Sequence, residues 1–137
     1  MLIAFPIGLL VFAFFCDVIR LFAASPSWST VALYSIAGGI GGGLVAAIPG
    51  LIDYFSIDEA EMKRIATFHL LASLSAITVS GLNLWLRFRV EQGSKIPLLL
   101  SGLVVVLLGI GGWLGGEMVY VKGMAVQAVE DLSSKPR

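Results

Sequence analysis

The chain has one cysteine and one histidine in 137 residues. The lone cysteine, Cys16, excludes an internal disulfide and any zinc site built on cysteine pairs. The lone histidine, His69, disfavours haem: a bis-histidine haem would lack its second axial imidazole, unless a dimer or another ligand supplied it. Charge is also scarce. Asp, Glu, Lys and Arg make up 13% of the chain, against about 25% in ordinary globular domains. The formal net charge is +0, so there is no basic surface for nucleic acid. Apolar bulk takes the place of charge, with 58% hydrophobic residues and a mean hydropathy of +0.95. So few polar groups could not cover a soluble domain, which excludes a soluble enzyme. The length suits one domain.

Four segments are long and apolar enough to cross a hydrocarbon core of about 30 Å. They predict helices over about 2–22, 26–54, 57–89 and 95–121, each end uncertain by a few residues. Backbone groups in lipid must be satisfied within helices or closed barrels, and apolar runs without strict alternation favour helices. Short loops make sequence neighbours antiparallel neighbours in space. The fold class expected is therefore an all-α integral membrane protein, an up-down bundle of four transmembrane helices over about 1–122 with a short tail over about 123–137. The first segment lacks a basic start and reads as a span rather than a signal peptide. Ser25-Pro26 predicts the start of the second helix. Ser56-Ile57-Asp58-Glu59 predicts a capping box at the start of the third. Val121, Met124, Val126, Val129 and Leu132 read as an amphipathic turn or two on the membrane surface, with disorder after Leu132 as the alternative.

Basic residues divide almost evenly between the two ends. Side A, with both termini, holds Lys63, Arg64, Lys122, Lys135 and Arg137; side B holds Arg20, Arg87, Arg89 and Lys95. Leaving out the distant Lys135 and Arg137 makes side B the cytoplasmic side and puts both termini outside.

Small residues recur at helical spacing. The second helix carries Ser35, Gly39, Gly42, Ala46, Pro49 and Asp53 on one face. Gly38/Gly42, Gly39/Gly43, Gly111/Gly115 and Gly112/Gly116 are G-x-x-x-G pairs, which predict close helix packing, chiefly within the bundle. The third helix places His69, Ser73, Ala76, Ser80, Asn83 and Arg87 on one face, which predicts that this face looks inward. The serines read as interhelical hydrogen-bonding groups.

Antiparallel helices gather the ionisable residues at two depths. Toward side B, Asp17, Arg20, Asn83 and Arg87 read as a structural charge cluster, with Asp17 pairing Arg87 and with Trp28 and Trp85 in an interfacial belt. Toward side A, Asp53, His69 and Glu117, with Tyr120 at the same level, are the candidate ligand- or proton-binding residues. Imidazole and two carboxylates are also the ligand types of a non-haem iron, zinc or manganese site. The alternative is a histidine satisfied within a charge-paired network at the helix ends.

Phe5-Pro6-Ile7-Gly8, Asp17, Ala46-Ala47-Ile48-Pro49-Gly50 with Asp53, His69, Asn83 and Arg87 together resemble an uncharacterised bacterial family of predicted membrane proteins, DUF2231. The most specific part is Gly112-Trp113-Leu114-Gly115-Gly116-Glu117, followed by Val119-Tyr120 and Gly123. The resemblance runs from Phe5 to Gly123 and implies a four-helix domain of the bacterial inner membrane. It implies association with redox modules such as Rieske proteins, cytochromes and quinoprotein-type dehydrogenases, and no particular reaction. Many relatives carry a His-Pro pair before the first span and a histidine where this chain has Lys122, so the resemblance carries no haem or metal site built on those histidines to this chain.

Three functions follow as expectations. The first is a redox-associated membrane subunit or anchor with a polar quinone-, proton- or metal-binding pocket at side A. The second is a purely structural subunit of a larger membrane complex, or a homo-oligomer. The third is a small transporter, which the absence of a clear inverted repeat disfavours. None requires enzymatic activity, and membrane lipid is a partner in all of them.

Overall fold

The structure is a computed structural model that describes residues 2–23, 25–91 and 93–120, the last by its backbone. The described residues form four helices and no strand: α1 (Ala4–Phe22), α2 (Ser27–Phe55), α3 (Ala60–Arg87) and α4 (Ile96–Tyr120). Each contains a stretch long and apolar enough to span a membrane, with mean hydropathies of 2.1, 1.8, 1.6 and 2.2 in chain order. The all-α four-span expectation holds. The tail, with Lys122, Lys135, Arg137 and the apolar residues expected on the membrane surface, lies outside the described residues.

The helices pack as a ring: α1 on α2, α2 on α3, α3 on α4 and α4 on α1. The diagonal backbones of α1 and α3 do not approach one another. The main core joins Leu10, Ala13 and Cys16 of α1, Ala32 and Ile36 of α2 and Val104 of α4, with Val79 and Leu84 of α3 against it. A smaller cluster at side A joins Met62, Ala66 and Met118. Small side chains recur in both because close backbone approach is a main source of helix association in lipid. Trp28, half-buried, packs against the main core. Trp85 is exposed, with the Arg89 guanidinium 5.5 Å from its ring centre.

The α1–α2 hairpin is built on glycine. A Cβ at Gly39 would lie 2.7 Å from the Leu10 side chain, and one at Gly42 would lie 3.3 Å from Phe5 and 3.4 Å from Pro6. Gly42 therefore sits level with the first turn of α1. α2 has 29 residues and α1 has 19. At about 1.5 Å per residue, α2 runs well past the start of α1. The second-helix stripe is buried at Ser35 and Gly39, half-buried at Gly42 and Ala46, and exposed at Pro49 and Asp53, where α1 no longer covers it.

The expected capping box does not form. α3 begins at Ala60 with Glu59 as its N-cap and no side-chain cap. Ser56 instead closes α2: its backbone N–H and its Oγ both donate to the Ile52 carbonyl. At the other end of α2, the Ser25 hydroxyl accepts from the Ser27 N–H, one residue later than the sequence pattern places the helix start.

Candidate functional site

The inward face of α3 connects two polar regions. At side B, Asn83 and Arg87 lie one turn apart, so both side chains project from the same face. Arg87 Nη2 donates to Asp17 Oδ2 at 2.5 Å, joining the last residue of α3 to α1 across the ring. Ser101 of α4 is the hub. Its hydroxyl donates to Asp17 Oδ2 at 2.7 Å and accepts from Asn83 Nδ2 at 2.9 Å, with Arg87 Nη2 at 3.4 Å. Asn83 Nδ2 also donates to the Pro97 carbonyl at 3.2 Å. Asp17 and Asn83 are each 1% exposed, and the Arg87 side chain 6%. A guanidinium and a carboxylate this deep require each other, since an isolated charge in a low-dielectric interior is far more costly than a paired one. Nearer the end of the bundle, Arg20 Nη2 donates to the Ser94 carbonyl at 2.8 Å and ties α1 to the α3–α4 loop. Asp17, Asn83 and Arg87 thus form the expected cluster. Ser101 completes it, a residue outside the expected set, and its sequence signal is a lone hydroxyl in the apolar run 98–106.

The side-A residues do not converge. Asp53 is exposed in the last turn of α2. His69 is half-buried against α4: its Nδ1 lies 2.9 Å from the Gly111 carbonyl, and a Cβ at Gly115 would lie 3.4 Å from its Cε1. A carbonyl only accepts, so Nδ1 carries the proton, and in the neutral ring Nε2 carries the lone pair. Glu117 is half-buried, two residues beyond Gly115 and so turned about 200° around α4 from the glycine that faces His69. Among the described residues, no group of three His, Cys, Asp or Glu is placed to hold a metal ion. Asp53, His69 and Glu117, expected together as a ligand- or proton-binding or metal set, are not brought together among the described residues. The physical reason is the overrun of α2 beyond α1 together with the rotation of α4. The Tyr120 side chain lies outside the described residues.

A different set of side-A residues meets instead. Thr67 Oγ1 donates to the Lys63 carbonyl at 2.7 Å, which uses its only hydrogen, so Tyr54 Oη donates to Thr67 across 3.1 Å. Lys63 Nζ donates to the Tyr54 carbonyl at 2.6 Å and the Ile57 carbonyl at 3.3 Å, and lies 4.3 Å from the Tyr54 ring centre. The ammonium serves one carbonyl in the last turn of α2 and one just beyond it, where a positive charge also complements the helix dipole.

The glycine pairs divide between inside and outside. Gly38, Gly39 and Gly42 face α1, Gly43 faces Ile77 of α3, and Gly111 and Gly115 face α3. At Gly112 and Gly116 a Cβ would meet nothing within 4 Å among the described residues, so this pair takes no part in packing the four described helices together. Ser80 also departs from expectation: its Oγ donates to the Ala76 carbonyl of its own helix rather than across to a neighbour.

No curated protein and no solved structure matches the chain. The family model DUF2231, described as a predicted membrane protein, matches residues 1–128, and the chain belongs to that family.

Proposed function

We propose that this protein is a non-catalytic accessory subunit that packs against the helices of a larger assembly in the bacterial inner membrane. The observation that carries this reading is the outward side of α4. Among the described residues, Gly112 and Gly116 lie one turn apart with open space before them, and Trp113 beside them is 78% exposed. Three other glycine pairs of the same spacing are covered inside the bundle. An uncovered small-x-x-x-small pair lets a partner helix approach closely. The interior supports a structural role as well, because its strongest polar groups bond to one another across α1, α3 and α4. The apolar residues Ala13, Ile36, Ala76 and Val104 are buried in the bundle interior, which argues against a transport path. With side B cytoplasmic, as the positive-inside bias favours, both termini lie outside. The test is co-purification from native membranes. Gly112→Leu and Gly116→Leu are expected to shed partner subunits while the chain itself stays folded. Gly81→Leu, also in open space but on α3, is expected to keep them.

A second reading, the redox-associated subunit with a quinone- or proton-binding pocket, is favoured by one observation. His69 is held by Gly111 so that its Nε2 lone pair is available to accept a hydrogen bond or proton, as a quinol hydroxyl requires. Asp53 and Glu117 are not needed for it. A short-chain quinone that raises the thermal midpoint of the wild type and not of His69→Leu supports this reading. No quinone effect, no visible absorption and no bound metal overturn it.

A further inference from the structure

The ion pair at side B leaves polar atoms that the protein itself does not serve. Asp17 Oδ1, Asn83 Oδ1 and Arg87 Nε are buried and have no hydrogen-bond partner among the described residues. Two are acceptors and one is a donor. All belong to side chains at least nine-tenths buried, and all three residues are joined through Ser101. Ser101 cannot serve them, because its single hydrogen is committed to Asp17 Oδ2 and its oxygen already accepts from Asn83 Nδ2 and Arg87 Nη2. Unserved buried polar atoms are rare in folded interiors, and internal water is their usual partner.

The chemistry of the set selects its ligand. A cation would have to lie beside the Arg87 guanidinium, and an anion beside the Asp17 carboxylate. Water donates twice and accepts, which suits two acceptors and a donor in a charge-compensated setting. We propose that Asp17, Asn83, Arg87 and Ser101 form a built hydration site that holds internal water between α1, α3 and α4. Asp17 lies five residues from the end of α1 and Asn83 four from the end of α3, so the site is about 6–8 Å inside the side-B end of the bundle. The site does not depend on what the α4 face binds.

The experiment is a crystal structure of the wild-type protein at a resolution that shows ordered water, with a second data set from crystals soaked in rubidium chloride. The expected result is solvent density within hydrogen-bond distance of Asp17 Oδ1, of Asn83 Oδ1 and of Arg87 Nε, with no rubidium anomalous signal there. Rubidium in the site overturns the proposal, as does a structure in which protein atoms alone serve all three groups. Asn83→Leu keeps the ion pair and removes one acceptor, and its structure is expected to lose density at that position. Unchanged density in this variant also overturns the proposal.

Discussion

Arg87 and Asp17 meet across the diagonal of the bundle, between two helices whose backbones never come together. The contact spans 70 positions in sequence and is made by side chains alone. It therefore fixes the register of α3 against α1 in a way the adjacent helix pairs cannot. Ser101 brings α4 into the same contact.

Removing one partner leaves the other charged and buried. Asp17→Leu and Arg87→Leu are each expected to destabilise the bundle by about 3–5 kcal/mol. The double variant is expected to recover most of that loss, because paired burial is close to break-even against apolar packing. Unfolding in a detergent titration measures all three. Equal loss in the double and single variants would contradict a mutual role.

Gly39 and Gly41 test the covered and open sides of α2. Gly39→Ala places a Cβ 2.7 Å from Leu10 and is expected to cost about 1–3 kcal/mol through overpacking. Gly41→Ala meets nothing within 4 Å and is expected to be neutral or to stabilise by up to about 1 kcal/mol. Thermal midpoints of the two variants decide the matter.

The four spans and the inward face of α3 were legible in the sequence for a simple reason. Membrane length and the four-and-three spacing of His69, Ser73, Ala76, Ser80, Asn83 and Arg87 are periodic signals, and lipid forces polar residues inward. The Asp17–Arg87 pair was legible because antiparallel helices bring those residues to one depth. The side-A grouping misled because equal depth is not equal direction. Asp53 is aligned with a buried stripe, yet it lies beyond the reach of α1, and the helix lengths that decide this depend on where α1 begins. Overlapping pairs such as Gly111/Gly115 and Gly112/Gly116 differ by one residue, about 100° of rotation, and only the packed structure selects which pair faces in.

Lys63 is expected to hold the α2–α3 turn together. Lys63→Met removes the donor to the Tyr54 and Ile57 carbonyls while keeping the apolar stem. A loss of about 0.5–2 kcal/mol is expected, by analogy with other lost caps. Hydrogen exchange should localise it to residues 52–57, and protection unchanged there would show that the ammonium does not cap α2.

His69 in its neutral form is expected to be the Nδ1–H tautomer. Nitrogen chemical shifts of the labelled imidazole distinguish the two ring nitrogens. A neutral ring protonated at Nε2 would mean that Gly111 does not hold it, and would remove the basis for quinone contact through Nε2.

The central claim is that the outward face of α4 joins this subunit to other membrane helices. Its most direct measurement is cysteine cross-linking in native membranes with Gly112→Cys and Gly116→Cys, in a chain whose own Cys16 is buried. The account predicts cross-linked adducts of defined mass at these positions and none with Gly81→Cys. A chain that stays uncrosslinked at Gly112 and Gly116, and purifies from native membranes as a lone monomer, would contradict it.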